Sequence, residues 1–528
     1  MTSPFEGAGS GDPAAEHARQ LLHALACERP IDDRPDAAGP ALEWARSGAM
    51  ILTGEADGPP RFAAGALATA ARGAGLALAA LAPGCDLVPL DAPALLGERA
   101  AAFGLARRGR TACGGSARLL PLADGEIALN LPRADDWRLL PAWLEHDLPA
   151  IETERDWAAV ERALCGRSMV PLVERGREIG LAVAPAIALP GSDAHATGAT
   201  TPPCFRLSAA THGRTGDATG AGGGGSITAS RPRAPRVLDL STLWAGPLAG
   251  SLLVAAGCDV LKVESPRRPD GARAGDADFF ALLNAGKRSA ALDLAASRDR
   301  EVFAALLAEA DVVLESARPR ALAQLGFDAR GWVAARPGRI WASITGYGRE
   351  HEWIAFGDDA AVAAGLAYDP AGSAHGRVAR RGDRPLGAGS AIASPRFGGD
   401  AIADPLTGLH AAVAILALLA TGRGGLLALS LADVAAHAAY VPDAAPAACA
   451  APDGARGRDA HAAPIAQAGA RTADALTLPL TQRDGRWTVW NGSGWEEVAP
   501  ARARTARAPG PPLVPPEPAT LARWRRGC

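Results

Sequence analysis

Apolar positions along this chain change their spacing several times, and each change marks a boundary. Helical spacing predicts helices over about 14–26 and 40–48, an alanine-rich helix over 63–81 and another over 94–105. Over 117–131 the period becomes alternating. ARLLPL, the turn ADGE and IALNL predict a hairpin with Asp124-Gly125 at its tip. Amphipathic helices return over 135–144, 156–164 and 169–178. From 190 to 235 the pattern gives way to Gly, Ala, Ser, Thr and Pro, the composition of a flexible linker. Its GDATGAGGGGS run does not read as a phosphate loop, because no strand precedes it and no helix follows.

Beyond 235 strands and helices alternate. RVLDL (236–240), DVLKV (259–263), 289–294, DVVLE (311–315) and RIWASI (339–344) predict strands. Helices are predicted over 246–256, 298–308, 321–325 and 331–336. Apolar strands alternating with helices argue for a parallel sheet covered on both faces. The predicted fold class is α/β: a doubly wound, Rossmann-like sheet in the C-terminal half, with an α+β N-terminal domain. The divisions are 1–30, a tail and first helix; 31–189, the α+β domain; 190–235, a linker; and 236–440, the Rossmann-like domain. A second low-complexity linker (441–472) then leads to a small β unit (473–528) built from LTLPL, RWTVW and WEEV. Asn491-Gly492 is a turn there, and the Arg/Pro tail from Pro500 reads as disordered.

The 528 residues leave room for two or three domains, and the 48% apolar content supplies their cores. A net charge of −3 provides no field for nucleic acid or an anionic membrane, so neither is an expected partner. The apolar runs at 74–83 and 411–420 fall short of a membrane span. No basic-then-apolar leader opens the chain, which reads as soluble and cytoplasmic. Its eight cysteines form no CxxC pair and no ligand-like spacing, so neither a disulfide framework nor a metal site is expected.

Candidate chemistry centres on 398–422, GGDAIADPLTGLHAAVAILALLATG. Asp404 is an N-cap residue type, with Pro405 in the first turn after it. Leu406, Leu409, Val413, Leu416 and Ala420 share a helical face, and Gly422 ends the run. Alone, Asp404 reads as a cap worth about 0.5–2 kcal/mol. With the surrounding segments taken into account, it reads instead as a carboxylate kept ionised by helix-start N–H groups and fit to be a nucleophile. In 238–250, LDLSTLWAGPLAG, Gly246-Pro247 opens a helix at a strand's C-terminal edge, where such sheets bind anionic ligands. Arg267, Arg268, Arg273, Lys287, Arg288, Arg318 and Arg320 fall in or near loops beside other strand ends. Each alone reads as a solvated surface charge. Repeated beside strand ends, they suit the phosphates of a nucleotide. Lys262 and Lys287 are the two lysines among 54 basic residues, a hint of positions that want a compact ammonium. Asp358 and Asp359 are candidate second carboxylates, or the cap of a helix running into AVAAGLA.

The segments VLDLSTLWAGPLAG, GCDVLKVESPRRPDGAR, FFALLNAGKRSAALDL, ADVVLESARPRALAQLGF, PGRIWASITGYG and GDAIADPLTGLHAAVAILALL, in that order, resemble the family III CoA-transferases. That group includes formyl-CoA and carnitine-CoA transferases and α-methylacyl-CoA racemases. The resemblance runs from about 236 to 435. It implies that Asp404 is the nucleophile, with Gly408 and His410 following at the family's spacing, and that the loop arginines hold the adenosine phosphates. It also implies coenzyme A as a substrate rather than a bound cofactor, and acyl-CoA and carboxylate small molecules as partners. Transfer would proceed through an aspartyl mixed anhydride and an aspartyl-CoA thioester.

The N-terminal half resembles the same family in LEWARSGAMILTGEADGPP (42–60) and around ARLLPLADGEIALNL. The stretch that should supply its Asp, FAAGALATAARGAG (62–75), has none, so this half reads as a degenerate partial copy. Family members are interlocked dimers, so either a homodimer or an intramolecular pseudo-dimer is expected, with the fused half lending in cis what a partner subunit lends. Racemase members carry a catalytic His where FGDD places Asp358, while His351 and His375 lie out of register. A racemase or isomerase is therefore disfavoured, and a non-catalytic CoA-binding pseudoenzyme is the other alternative. The loop over 370–398 is longer than the family's usual connection.

Overall fold

The computed structural model describes residues 12–32, 39–85, 87, 90–145, 155–187, 203–209, 233–367, 395–440 and 478–515. Most of the 190–235 and 370–398 segments, the whole 441–472 segment and His375 lie outside these.

The N-terminal half opens with four helices: α1 (Pro13–Ala24), α2 (Gly39–Arg46), α3 (Leu67–Leu81) and α4 (Glu98–Phe103). Asp12 caps α1 through a bond from the Ala14 N–H. The hairpin follows as β1 (Ala117–Leu122) and β2 (Gly125–Asn130), in register from Ala117↔Asn130 to Leu122↔Gly125. β3 (Ala182–Pro185) pairs on the other side of β2. Between them run α5 (Ala134–Leu144), α6 (Trp157–Leu164) and α7 (Met169–Ile179). Trp137, Trp143, Leu129 and Val173 belong to the separate core that joins these helices to the sheet.

The C-terminal half is built on β4 (Arg206–Ala209), β5 (Arg236–Leu240), β6 (Asp259–Glu264), β7 (Arg288–Ala291), β8 (Val312–Glu315), β9 (Ile340–Thr345) and β10 (Gly425–Ser430). Their order is β4-β10-β9-β8-β5-β6-β7, parallel except for β4, which runs antiparallel on β10. The order reverses at β5, between β8 and β6. The C-terminal ends of β5 and β8 therefore flank a topological switch point, the place where a parallel sheet leaves a crevice for ligands.

Helices on this half are α8 (Ala245–Ala255), α9 (Ala277–Asn284), α10 (Ser297–Glu309), α11 (Arg320–Gln324), α12 (Ala329–Ala334), α13 (Gly357–Ala363), α14 (Ala403–Thr421) and α15 (Leu431–Ala439). Alternate strand residues face opposite layers. Val237, Val312 and Ile340 pack with α8 and α14, while Leu238, Val313 and Trp341 pack with Phe303 and Leu306 of α10. The first layer also takes in Leu21, Leu22, Leu67 and Leu78 of the N-terminal helices. One core thus runs through both halves, with α14 at its centre. That helix is long and apolar enough to cross a membrane, but 89% of its apolar window is buried inside the protein.

Several elements escape the sequence pattern. β4 lies within the predicted linker, where a four-residue strand is supported by pairing to β10 rather than by its own periodicity. β10 and α15 follow the long apolar helix, where continuous hydrophobicity hides the change of period. β11 (Leu480–Arg483), β12 (Arg486–Trp490) and β13 (Trp495–Glu497) form the expected small sheet. The tail expected to be disordered is engaged as far as it is described: Arg502 pairs with Asp91, Arg504 with Glu98, and Ala291 donates to Val514 O.

Candidate active site

Helix α14 starts one residue before Asp404, so Asp404 lies in its first turn and is not its cap. The turn leading in has Gly399 at φ 72° and Ala401 at φ 41°, a left-handed conformation that a residue with a Cβ seldom adopts. Asp404 accepts bonds from the backbone N–H groups of Ala245 and Gly357, the first residues of α8 and α13. Three chain segments entering helices therefore converge on one carboxylate beside the switch point. Gly357 has to be glycine, since a Cβ there would collide with Asp404 Oδ2 and Ala401 O. At Gly408 a Cβ would stand 2.7 Å from Ala245 O, so the α8–α14 approach also depends on a missing side chain.

Two further carboxylates back this site. Asp358 Oδ1 accepts from the Ala401 N–H at 2.8 Å, and Asp400 is gripped by Arg99 at 2.9 and 2.5 Å. Asp400 and Asp358 are buried, whereas Asp404 keeps an opening to solvent. Burial pushes the Asp404 carboxyl up to about 7. The Arg99 charge opposes that rise, Asp358 adds to it, and the two N–H bonds oppose it. Burial also raises Asp358, with the charge of Asp400 adding to the effect and Arg99 opposing it. The expectation that the helix start alone would hold Asp404 ionised is thus outweighed by desolvation.

Asp359 takes a different position. Its Oδ1 accepts from Asn130 Nδ2 and from the Phe356 N–H, both at 3.0 Å, which makes it a back-bonding cap of α13. Burial lifts it to about 7, against the opposing bonds. Asp359 Oδ2 and Asn130 Oδ1 are both buried without a partner.

Much of this geometry comes from the N-terminal half. Thr53 Oγ1 accepts from the Gly399 N–H at 2.8 Å, Cys113 Sγ donates to Gly399 O at 3.4 Å, and Gly109 O accepts from the Phe397 N–H at 3.1 Å. Glu55 pairs with Arg396. On α14 itself, His410 donates from Nδ1 to Leu406 O at 2.7 Å, which leaves Nε2 to meet His17 Nε2 of α1 at 3.0 Å. His410 is therefore held inside the helix layer, and burial lowers it to about 4. None of Arg99, Asn130, Thr53 and Cys113 stands out in the sequence, because each meets its partner more than 200 residues away.

Residues 235–487 match the family model for CoA-transferase family III. That segment is similar to CoA-transferase family III. The N-terminal half lies outside the match. Succinate–glutarate CoA-transferase from Agrobacterium fabrum is 32% identical over 216 residues, 38% of this chain and 50% of that protein. Formyl-CoA:oxalate CoA-transferase from Rhodopseudomonas palustris is 32% identical over 209 residues, 38% of this chain and 45% of that protein. The chain spans about half the length of the curated relatives it matches. Among solved structures, a CAIB/BAIF family protein from Brucella suis is 30% identical over 39% of this chain and 54% of its own, with a TM-score of 0.32.

Within the matched segment the basic candidates separate. Lys287 is fully buried, and its three N–H donors go to Asp239 at 2.8 Å, Pro247 O at 2.9 Å and Asn284 at 3.0 Å. It has none left for a phosphate. Lys262 is likewise buried against Asp270 and Ser241 O. The compact ammonium suited to these positions serves the sheet–helix interface. Gly246 lies against Ser241, leaving no room for a Cβ, and Pro247 contributes its carbonyl to Lys287. Arg273 is spent on Glu264 and Pro511 O and lies over the Phe280 ring. Arg288 pairs with Asp259 at the starts of β6 and β7, the end of the sheet away from Asp404. Arg267 (paired with Asp293), Arg268, Arg318 and Arg320 are exposed. Arg318 and Arg320 line a cavity of about 300 Å³ with Arg177, His351 and Trp353, where Glu178, Glu350 and Glu352 also face it. Among the described residues, no group of three or more His, Cys, Asp or Glu could hold a metal ion.

Proposed function

We propose that this protein is an acyl-CoA:carboxylate CoA-transferase with Asp404 as its nucleophile. The observation that carries the reading is a half-buried carboxylate, aimed by two backbone N–H groups, at the switch point of the central parallel sheet. The names of the matched relatives support CoA transfer as the reaction class.

In the first step an ionised Asp404 oxygen attacks the donor thioester carbon. The C–S bond breaks, CoA leaves as thiolate, and a mixed anhydride remains on Asp404. The thiolate then attacks the aspartyl carbonyl and releases the donor's carboxylate, leaving an aspartyl-CoA thioester. An acceptor carboxylate attacks that carbonyl and expels the thiolate. The thiolate finally attacks the acceptor's acyl carbon, forming the new thioester and regenerating Asp404. The N–H groups of Ala245 and Gly357 hold the reacting carboxyl throughout and are placed to stabilise charge that develops on it.

Proton exchange at an α-carbon would need an acid and a base flanking it. Asp358 and Asp359 are buried and engaged by Ala401, and by Asn130 and Phe356, which supports transfer over racemisation. Arg318 and Arg320 are the candidates that keep an exposed guanidinium beside a cavity for the nucleotide end of CoA.

Intact-mass spectrometry after incubation with a panel of acyl-CoAs, with and without hydroxylamine, tests the reading. An adduct that hydroxylamine cleaves and that Asp404→Asn lacks is expected. CoA binding without adduct or turnover across the panel would replace the transferase by a CoA-binding protein.

A further inference from the structure

The turn that opens the nucleophile helix is held from outside its own domain. Between Arg396 and Asp400 it is gripped by Glu55, Gly109, Thr53, Cys113 and Arg99, all from the N-terminal half. Arg99 differs from the others in carrying charge into the site. It rises from α4 and lies 5.6 Å from the centre of the Trp244 ring, just before the Ala245 that donates to Asp404. Its two-pronged bond fixes Asp400, one residue before the left-handed Ala401. The groups facing it are the carboxylates of Asp400, Asp358 and Asp404 and the Cys113 thiol, which burial and the charges of Asp400 and Asp358 keep protonated against the pull of Arg99. Glu98, its chain neighbour, is occupied by Arg504.

We propose that Arg99 is a positioning residue for Asp404, supplied in cis by the N-terminal half: it locks the Asp400–Ala401 turn and sets its charge against the three-carboxylate cluster. This rests on the reading of Asp404 as nucleophile. A guanidinium suits the geometry, since one planar fork satisfies both Asp400 oxygens while its charge also reaches Asp358 and Asp404. Without it three acids would share one low-dielectric site and favour the protonated, non-nucleophilic form of Asp404.

A structural brace and a charge device differ in what they do to titration. Infrared difference titration of the resting protein, with the Asp404 band assigned by subtracting Asp404→Asn, reads the carboxyl directly and needs no acyl-CoA. Arg99→Gln should move the Asp404 midpoint upward by about one pH unit, with adduct formation near pH 6.5 falling about tenfold. Arg99→Lys should restore most of the midpoint. Asp400→Asn, which keeps the cation and removes its nearest anion, should move the midpoint the opposite way, and it remains informative if Arg99→Gln does not fold. Midpoints unchanged in folded Arg99→Gln and Asp400→Asn would overturn the proposal, as would shifts of the same sign in both. Opposed shifts without any adduct would leave Arg99's hold on Asp404 standing and remove the transferase reading.

Discussion

Two groups of charges lie toward the C-terminal edge of the central sheet, and they are built on opposite terms. Around Asp404, Arg99, Asp358 and Asp400 are held by named partners, and the turn they fix carries a strained Ala401. In the segments after β6 and β8, Arg267, Arg268, Arg318 and Arg320 (the first residue of α11) stand in solvent, where an ion pair such as Arg320–Glu352 at 3.6 Å contributes little. The first group is fixed by its partners and can hold a reacting atom in place, even though desolvation still raises Asp404. The second is exposed, and its solvent-screened pairs can be exchanged for a ligand. Substitutions should accordingly impair chemistry in the first region and only weaken binding in the second.

The sharpest way to break this contrast is Gly357→Ala. A methyl group there meets Asp404 Oδ2 and Ala401 O, so the carboxylate must move, and a displacement of that order costs about 100-fold or more. Adduct formation measured beside thermal unfolding checks it. Near-normal rates would mean that Asp404 does not need its present position.

A smaller effect is expected from Arg318→Ala combined with Arg320→Ala. KM for acyl-CoA should rise about tenfold with kcat little changed, and the salt dependence of KM should flatten. An unchanged KM would return both arginines to ordinary surface charge.

Smallest is Asp359→Asn, which concerns stability. The native carboxyl titrates near 7 against an ordinary 3.8, so the folded chain holds a proton that the unfolded chain releases between about pH 4 and 7. Stability from this group therefore falls as pH rises through that window. A neutral amide keeps the acceptor for Asn130 and Phe356 and adds a donor for the unpartnered Asn130 Oδ1. Tm at pH 8 should rise by about 2–4 °C, with little change at pH 5. A lower Tm at pH 8 would show that the ionised form is the favoured one.

Legibility followed the same division. RVLDL, DVLKV and DVVLE are short apolar runs between helices, and they are adjacent parallel strands in the structure. The hairpin tip at Asp124-Gly125 and the turn at Asn491-Gly492 were visible because turn chemistry is local. The tail after Pro500 looked disordered because its arginines gain their meaning from Asp91 and Glu98, some 400 residues away. Lys287 looked like a phosphate ligand because a burial of this depth cannot be read from a loop beside a strand.

Local pattern by itself determined the α/β alternation and a long apolar helix with an aspartate close to its start, although it made that aspartate the cap rather than a first-turn residue. Those depend on spacing, on capping residues and on glycines that admit close approach, all of which are written along the chain. Tertiary structure decided which charges surround that aspartate, how far burial raises it, which basic residues remain exposed, and that the N-terminal half holds the turn. Coulomb and desolvation energies depend on distance and dielectric, and those exist only once Arg99 and Asp400, 301 residues apart, have been brought together.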